Sequence, residues 1–248
     1  MNKDVLGYRL KLGVIGPATN TIVQPDYDAM RPLGVTNHYS RIAVEDASVT
    51  DDSFIAATNL IGDNTLDAVR GVMPCRPDHM VMGMSAVTFY GGIAGAQAFT
   101  DDIARTAGVG ATVGSTALAA ALAAFPGVRR VAFLSPYFPS ANRAVAAFLD
   151  ECGYIIVRDV PLQCERWTAI AEVPEARLVE TIRALDSPDV DAIVQVGTNL
   201  SMVRLAAEAE RWLSKPVIAI NTATYWHALR SCGIEDRFNG FGNLFAER

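Results

Sequence analysis

The sequence has few of the residues that usually bind metals. Its three histidines are scattered along the chain, and its four cysteines show no C-x-x-C or other metal-ligand spacing. The cysteines are Cys75, Cys152, Cys164 and Cys232. This pattern predicts no metal site, and it favours reduced cysteines in a cytoplasmic protein.

Long apolar runs and an excess of positive charge are also absent. No uninterrupted apolar run reaches the roughly 18 residues that a membrane span needs, and residues 1–16 lack the apolar core of a signal peptide. The net charge of −6 disfavours nucleic acid as a partner. The sequence therefore predicts a soluble protein with neither a nucleic-acid nor a membrane partner.

Apolar residues, by contrast, are plentiful. They make up 50% of the chain, whereas charged residues make up 19%, which favours a sizeable buried core over disorder. The same apolar content leaves room for a homo-oligomer interface, but the oligomeric state itself is not readable from the sequence.

Short apolar segments alternate with longer helical patterns. Near-continuous apolar runs are typical of strands covered on both faces, and these belong to parallel sheets. Repeated alternation of this kind predicts an α/β fold with parallel sheets flanked by helices. The predicted strands lie at 11–17, 78–84, 129–136, 191–197 and 216–221.

Three segments recur later in the chain in the same order, at offsets of roughly 105 to 120 residues. The pairs are 12–20 with 131–142, 78–88 with 191–201, and 110–122 with 216–229. They predict two similar lobes related by a pseudo-twofold axis, with a ligand cleft between the strand ends. The predicted division is 1–110 plus 216–248 for the first lobe and 111–215 for the second.

Four loops after predicted strands would line this cleft. They carry hydroxyl and amide side chains but no Asp or Glu, which suits a carboxylate held by neutral donors and helix N-termini. Ordinary roles stay open for each residue, because Ser and Thr often cap helices and Asn often occupies turns. The loop residues are Asn20, Ser85, Thr88, Tyr137, Thr198 and Asn199.

The segments "GVIGPATNT", "VMGMSAVTFYGG", "VAFLSPYFPSANRAVAAFL" and "GFGNLFAE" resemble the aspartate/glutamate racemase superfamily. Within it, they are similar to the branch that holds maleate cis-trans isomerases and arylmalonate decarboxylase. The resemblance covers nearly the whole chain. It implies a two-lobed fold, no cofactor, and a small mono- or dicarboxylate as substrate.

The resemblance also implies cysteine chemistry, and here the chain departs from it. Racemases and isomerases of this superfamily use one cysteine from each lobe, and the decarboxylase uses one in the second lobe. The matching positions are Gly83 and Gly197. Glycine can act neither as a nucleophile nor as an acid, so thiol-based racemisation and isomerisation are disfavoured.

The carboxylate-holding residues remain, and the resemblance favours a decarboxylase that works through a stabilised enediolate. Tyr137 and Cys164 are the candidate proton donors, beside a held water molecule, and Trp167 and Ile170 suggest an apolar substituent. Two alternatives stay open: a maleate-type isomerase or racemase with a non-cysteine acid, and a non-catalytic carboxylate-binding protein. The predicted substrate-binding residues are Asn20, Gly83, Met84, Ser85, Thr88, Gly197, Thr198 and Asn199.

Overall fold

Eight strands form two separate sheets in the computed structural model, which describes residues 4–248. The first three residues of the predicted first lobe lie outside the described residues. In chain order the strands are β1 (Leu10–Pro17), β2 (Val35–Ile42), β3 (His79–Met82), β4 (Gly110–Thr112), β5 (Arg130–Ser135), β6 (Ile155–Pro161), β7 (Ala192–Gln195) and β8 (Val217–Ala219).

The two sheets have the same topology. The strand order is β2-β1-β3-β4 in the first and β6-β5-β7-β8 in the second, and every pairing within them is parallel. The central strands are almost fully buried, because helices cover the sheets. The predicted α/β fold with two similar parallel-sheet lobes is therefore confirmed.

Helices connect the strands and shield the apolar faces of both sheets. None of those in residues 4–248 is both long and apolar enough to cross a bilayer. In chain order they are α1 (Val23–Ala29), α2 (Asp51–Asp63), α3 (Thr65–Val72), α4 (Gly92–Ala107), α5 (Gly114–Ala123), α6 (Pro139–Glu151), α7 (Glu175–Leu185), α8 (Val203–Leu213), α9 (Ile220–Ser231) and α10 (Asn243–Glu247).

The sequence did not predict β2 and β6, which lie at one edge of each sheet. Both are mostly half-exposed along their length, unlike the fully buried strands beside them. An edge strand can therefore carry polar residues, and the continuous apolar run that marks a central strand is missing.

Helical segments lie before and after β3 in the chain. Residues 51–72 form two helices that meet at Asn64. Residues 86–89 after β3 form a short 3-10 turn, and α4 begins only at Gly92. The hydroxyls of Ser85 and Thr88 therefore do not lie at the start of a long helix.

The chain crosses between the lobes near its C-terminus. Strand β8 hydrogen-bonds to β7 in the second sheet. The prediction had placed residues 216–221 in the first lobe, and this strand belongs to the second instead. The helix that follows it, α9, packs on α5 and on β3 and β4 of the first sheet. The predicted boundary at 110/111 would likewise divide β4, which pairs with β3 in the first sheet. Elsewhere the division into 1–110 plus 216–248 and 111–215 stays a prediction.

Substitution of Leu134 tests how strongly the buried strands stabilise the fold. Leu134 lies fully buried in β5, whereas Ile155 in the edge strand β6 is 61% exposed. Leu134→Ala should lower the free energy of unfolding by about 2–5 kcal/mol through lost burial and a residual cavity. Ile155→Ala should change it by less than about 1 kcal/mol. Urea denaturation measures both, and equal losses would contradict the described core.

Candidate active site

A cavity lies where the carboxyl ends of β1, β3, β5 and β7 face each other across the two lobes. It is partly open to solvent, and its volume is about 50 Å³. This is the position at which open α/β sheets bind ligands. The lining residues are Pro17, Thr19, Asn20, Phe54, Thr58, Ile61, Met84, Ser85, Ala86, Tyr137, Trp167, Ile170, Gly197, Thr198 and Asn199.

The hydroxyl of Ser85 lies at the centre of a three-membered hydrogen-bond group. It is 2.7 Å from the Tyr137 hydroxyl and accepts the N–H of Gly197 at 3.2 Å. All three residues are buried. Because they follow β3, β5 and β7, the group joins the first lobe to the second.

Burial keeps Tyr137 in its neutral form. It raises the pKa of Tyr137 well above the ordinary value, and the hydrogen bond with Ser85 opposes that shift only in part. A neutral phenol can donate a hydrogen bond to a bound anion or release a proton to a strongly basic carbon. It is not a base at neutral pH.

Thr198 forms a second set of contacts between the lobes. Its hydroxyl donates to the carbonyl oxygen of Gly83 at 2.9 Å and accepts the amide N–H of Asn20 at 3.1 Å. The amide oxygen of Asn20 accepts the backbone N–H groups of Ile22 and Val23. Asn20 therefore orders the turn before α1 as well as reaching the cavity.

Asn199 ties three segments together beside the cavity. Its side-chain oxygen accepts the N–H of Thr21, and its amide nitrogen donates to the carbonyl of Trp167 at 3.0 Å. The segment around Trp167 is in turn held by Asp46 of the first lobe. The Asp46 carboxylate accepts both the N–H and the hydroxyl of Thr168 and pairs with Arg166 at 2.9 Å.

Aromatic side chains form the apolar wall of the cavity. Phe54 packs against Tyr137 and Trp167, with ring centroids 5.3 and 5.5 Å away. Ile61 and Ile170 add aliphatic surface. Because no lining residue is Asp, Glu, Lys, Arg or His, the polar part of the cavity consists only of neutral donors and acceptors.

Most of the predicted site residues meet at this cavity. Those that line it are Asn20, Met84, Ser85, Tyr137, Gly197, Thr198 and Asn199. Gly83 is not among the lining residues: its N–H donates to the carbonyl of Ile15, and its carbonyl accepts from Thr198. Thr88 supports Ser85 from outside the cavity, donating to its carbonyl and accepting the N–H of Ser115.

Cys164 does not line the cavity. It is buried beside the turn after β5, where its N–H donates to the carbonyl of Pro136. Burial raises the pKa of its thiol to about 11. A thiol in this environment is protonated and is not activated as a nucleophile.

Sequence reasoning missed the contribution of α2 to the cavity. Phe54, Thr58 and Ile61 line it from one face of that helix. Their spacing of four and three residues is the signal that could have found them, since such residues share a helix face. The same spacing is equally typical of a helix packed on an ordinary core.

The backbone at Gly197 adopts a conformation that other residues avoid. Its φ angle is +102°, and a Cβ atom there would lie 2.3 Å from Cδ of Pro136. A side chain at this position, a cysteine included, requires the 136–137 turn to move.

Gly127 provides a matched control for that clash. Its φ is +90°, but nothing lies within 4 Å of an added Cβ. Gly127→Ala should cost about 1–3 kcal/mol of unfolding free energy for backbone strain alone. Gly197→Ala should cost about 1–3 kcal/mol more because of the overlap with Pro136. Thermal and urea unfolding compare the two, and equal costs would show that the turn yields freely.

Comparison with known sequences identifies a family. The family model described as arylmalonate decarboxylase matches residues 12–245. Arylmalonate decarboxylase from Bordetella bronchiseptica is 32% identical over 212 residues, which cover 79% of this chain and 88% of that protein. Maleate isomerase from Nocardia farcinica is 28% identical over 120 residues, 48% of each chain.

Solved structures agree with the sequence matches. A liganded mutant of arylmalonate decarboxylase superposes with a TM-score of 0.81 at 27% identity, covering 96% of this chain and 100% of the other. A variant of the maleate isomerase from Pseudomonas putida S16, solved with maleate, has a TM-score of 0.86 at 20% identity, with 96% and 97% covered. The predicted superfamily branch is confirmed, and the chain belongs to the arylmalonate decarboxylase family.

Proposed function

We propose that this chain is a cofactor-independent decarboxylase of a small malonate-type dicarboxylate. The observation that carries the proposal is the group formed by Ser85, Tyr137 and Gly197, which supplies neutral hydrogen-bond donors to one buried cavity. Family membership supports it, since the relative from Bordetella bronchiseptica is an arylmalonate decarboxylase.

Decarboxylation suits a cavity without a base, because the substrate supplies its own electron pair. The bond between the α-carbon and one carboxylate breaks, CO2 leaves, and the bonding electrons remain on the α-carbon. The second carboxylate takes up that charge as an enediolate. Donors from Ser85, Tyr137 and the N–H of Gly197 stabilise the developing charge, with roughly 3 kcal/mol for each well-placed donor.

Tyr137 is the proposed proton donor. Its hydroxyl proton passes to the α-carbon, and the resulting tyrosinate recovers a proton from water through the cavity mouth. The hydroxyl of Ser85, 2.7 Å away, stabilises the tyrosinate in between. The net reaction takes up one proton and converts the dicarboxylate into a monocarboxylate and CO2.

The apolar wall supports an apolar substituent on the α-carbon. Phe54, Trp167 and Ile170 form this wall, and offset or tilted aromatic contacts with an aryl ring would be favourable there. The apolar character of the lining therefore favours an arylmalonate or alkylmalonate over unsubstituted malonate.

The isomerase alternative requires a nucleophile that adds to a double bond, and racemisation requires a base. The lining offers hydroxyls with no adjacent base and no thiol, which disfavours both. The binding-protein alternative is supported by one observation: the polar cavity groups already hydrogen-bond to one another. It is separated from the decarboxylase by experiment.

Incubation with phenylmalonate, butylmalonate and maleate in heavy water, followed by NMR, tests the proposed reaction. Decarboxylation should yield the monocarboxylate with one deuterium on its α-carbon, since the proton donor exchanges with solvent. Conversion of maleate to fumarate would favour the isomerase instead. If no compound turns over while a malonate raises the melting temperature, the chain binds carboxylates without catalysis.

Two variants assign the proton donor. Tyr137→Phe keeps the aromatic wall but removes the hydroxyl, and it should lower kcat by about 10²–10⁴-fold, the usual contribution of a general acid. Cys164→Ala should leave kcat within about twofold, because the thiol lies outside the cavity lining. Loss of turnover in Cys164→Ala but not in Tyr137→Phe would reverse the assignment.

A further inference from the structure

A partly buried carboxylate lies behind the site and has no part in the proposed reaction. Asp26 belongs to the first turn of α1, and its Oδ2 accepts the side-chain N–H of Asn221 at 2.8 Å. Asn221 is 1% exposed and belongs to the first turn of α9.

The same amide nitrogen of Asn221 also donates to the backbone carbonyl of Thr198, at 2.9 Å. Thr198 stands between Gly197, whose N–H meets the Ser85 hydroxyl, and Asn199. A single amide group thus connects a carboxylate on α1 to the loop that supplies the N–H donor of the cavity.

The side-chain oxygen of Asn221 does not help to fix the orientation of the amide. The side-chain oxygen of Asn221 is buried and has no hydrogen-bond partner among the described residues. If the amide turned over, this oxygen would face the Asp26 carboxylate and the Thr198 carbonyl, and both contacts would become repulsive. The negative charge of Asp26 therefore selects the orientation in which the Thr198 carbonyl is held.

We propose that Asp26 is a positioning residue, which fixes the Asn221 amide and through it the Gly197–Asn199 loop that faces Ser85. The inference rests on the proposed carboxylate site, since the loop is important only if the Gly197 N–H serves a bound anion.

Few charged or titratable groups face Asp26. Arg204 on α8 attracts its charge, and Tyr27 on its own helix is a neutral phenol. Asn221 on α9 is the polar partner already described. Burial outweighs these contacts and raises the pKa of Asp26 to about 6.

Protonation of Asp26 releases this arrangement. A protonated carboxyl can donate to the side-chain oxygen of Asn221, so Asp26 no longer opposes the turned-over amide, and the N–H is no longer held on the Thr198 carbonyl. The loop is then held above about pH 6 and loosened below it. Since the carboxyl binds its proton more tightly in the folded state, the fold itself gains stability as the pH falls through 6, so loosening is local and is not the onset of acid unfolding.

NMR of the ligand-free, 15N-labelled protein between pH 5 and 8 tests the relay without any substrate. The side-chain amide of Asn221 and the backbone amide of Gly197 should shift together, with a midpoint near pH 6. Asp26→Asn should abolish both shifts while keeping the fold. Asp28→Asn is the matched control, since Asp28 lies on the same helix with an exposed carboxylate that accepts from Asn37. It should leave both shifts in place.

Phenylmalonate binding, measured by calorimetry over the same pH range, connects the relay to the site. At each pH, the affinity of the wild type is divided by that of Asp26→Asn, so that titration of the ligand itself cancels. This ratio should be about fivefold lower at pH 5 than at pH 8, which is a typical coupling. Signals of Asn221 that do not move, or a Gly197 amide that does not follow them, would overturn the proposal. A coupled shift without phenylmalonate binding would instead reject the proposed function and leave the relay intact.

Discussion

The Ser85 hydroxyl is the contact on which the site depends. It follows β3 in the first lobe, and both of its partners, Tyr137 and the N–H of Gly197, belong to the second. The bond from Thr198 to the Gly83 carbonyl crosses the same boundary. The groups that would hold a carboxylate are therefore among those that hold the lobes together. A ligand must replace these contacts with its own, which favours a dicarboxylate able to accept from both lobes at once.

The chemistry available in the cavity follows from the absence of a thiol. Hydroxyl groups titrate far from neutrality, and burial moves Tyr137 still further. Such groups donate hydrogen bonds and protons well, but they do not abstract protons from carbon at neutral pH. Decarboxylation needs only donors, because loss of CO2 generates the carbanion. Racemisation needs a base, and covalent isomerisation needs a nucleophile. The same set of residues therefore favours one reaction of the superfamily over the others.

The sequence predicted the architecture because strands that are buried on both faces consist of continuous apolar residues, which are easily recognised. The central strands are continuous apolar runs, and their repetition in one order predicted two lobes of the same topology. The edge strands β2 and β6 escaped because half-exposed strands tolerate polar residues. Among the site residues, those directly after strands were predicted, since topology alone brings them together. Phe54 and Thr58 were missed, because a helix face gives no sign of which cavity it covers.

What the sequence by itself determined is the fold and the position of the cleft, and the resemblance predicted that Gly83 and Gly197 occupy the superfamily's cysteine positions. These depend on local pattern and on residue identity. Only the tertiary structure decided which polar atoms meet. It turned the amide oxygen of Asn20 to the start of α1, left Thr88 and Cys164 outside the cavity, and linked Asp26 to Thr198 through Asn221. Hydrogen bonds between residues more than 100 positions apart require donor–acceptor distances correct to a few tenths of an ångström and well-aligned groups. No periodicity along the chain encodes such geometry.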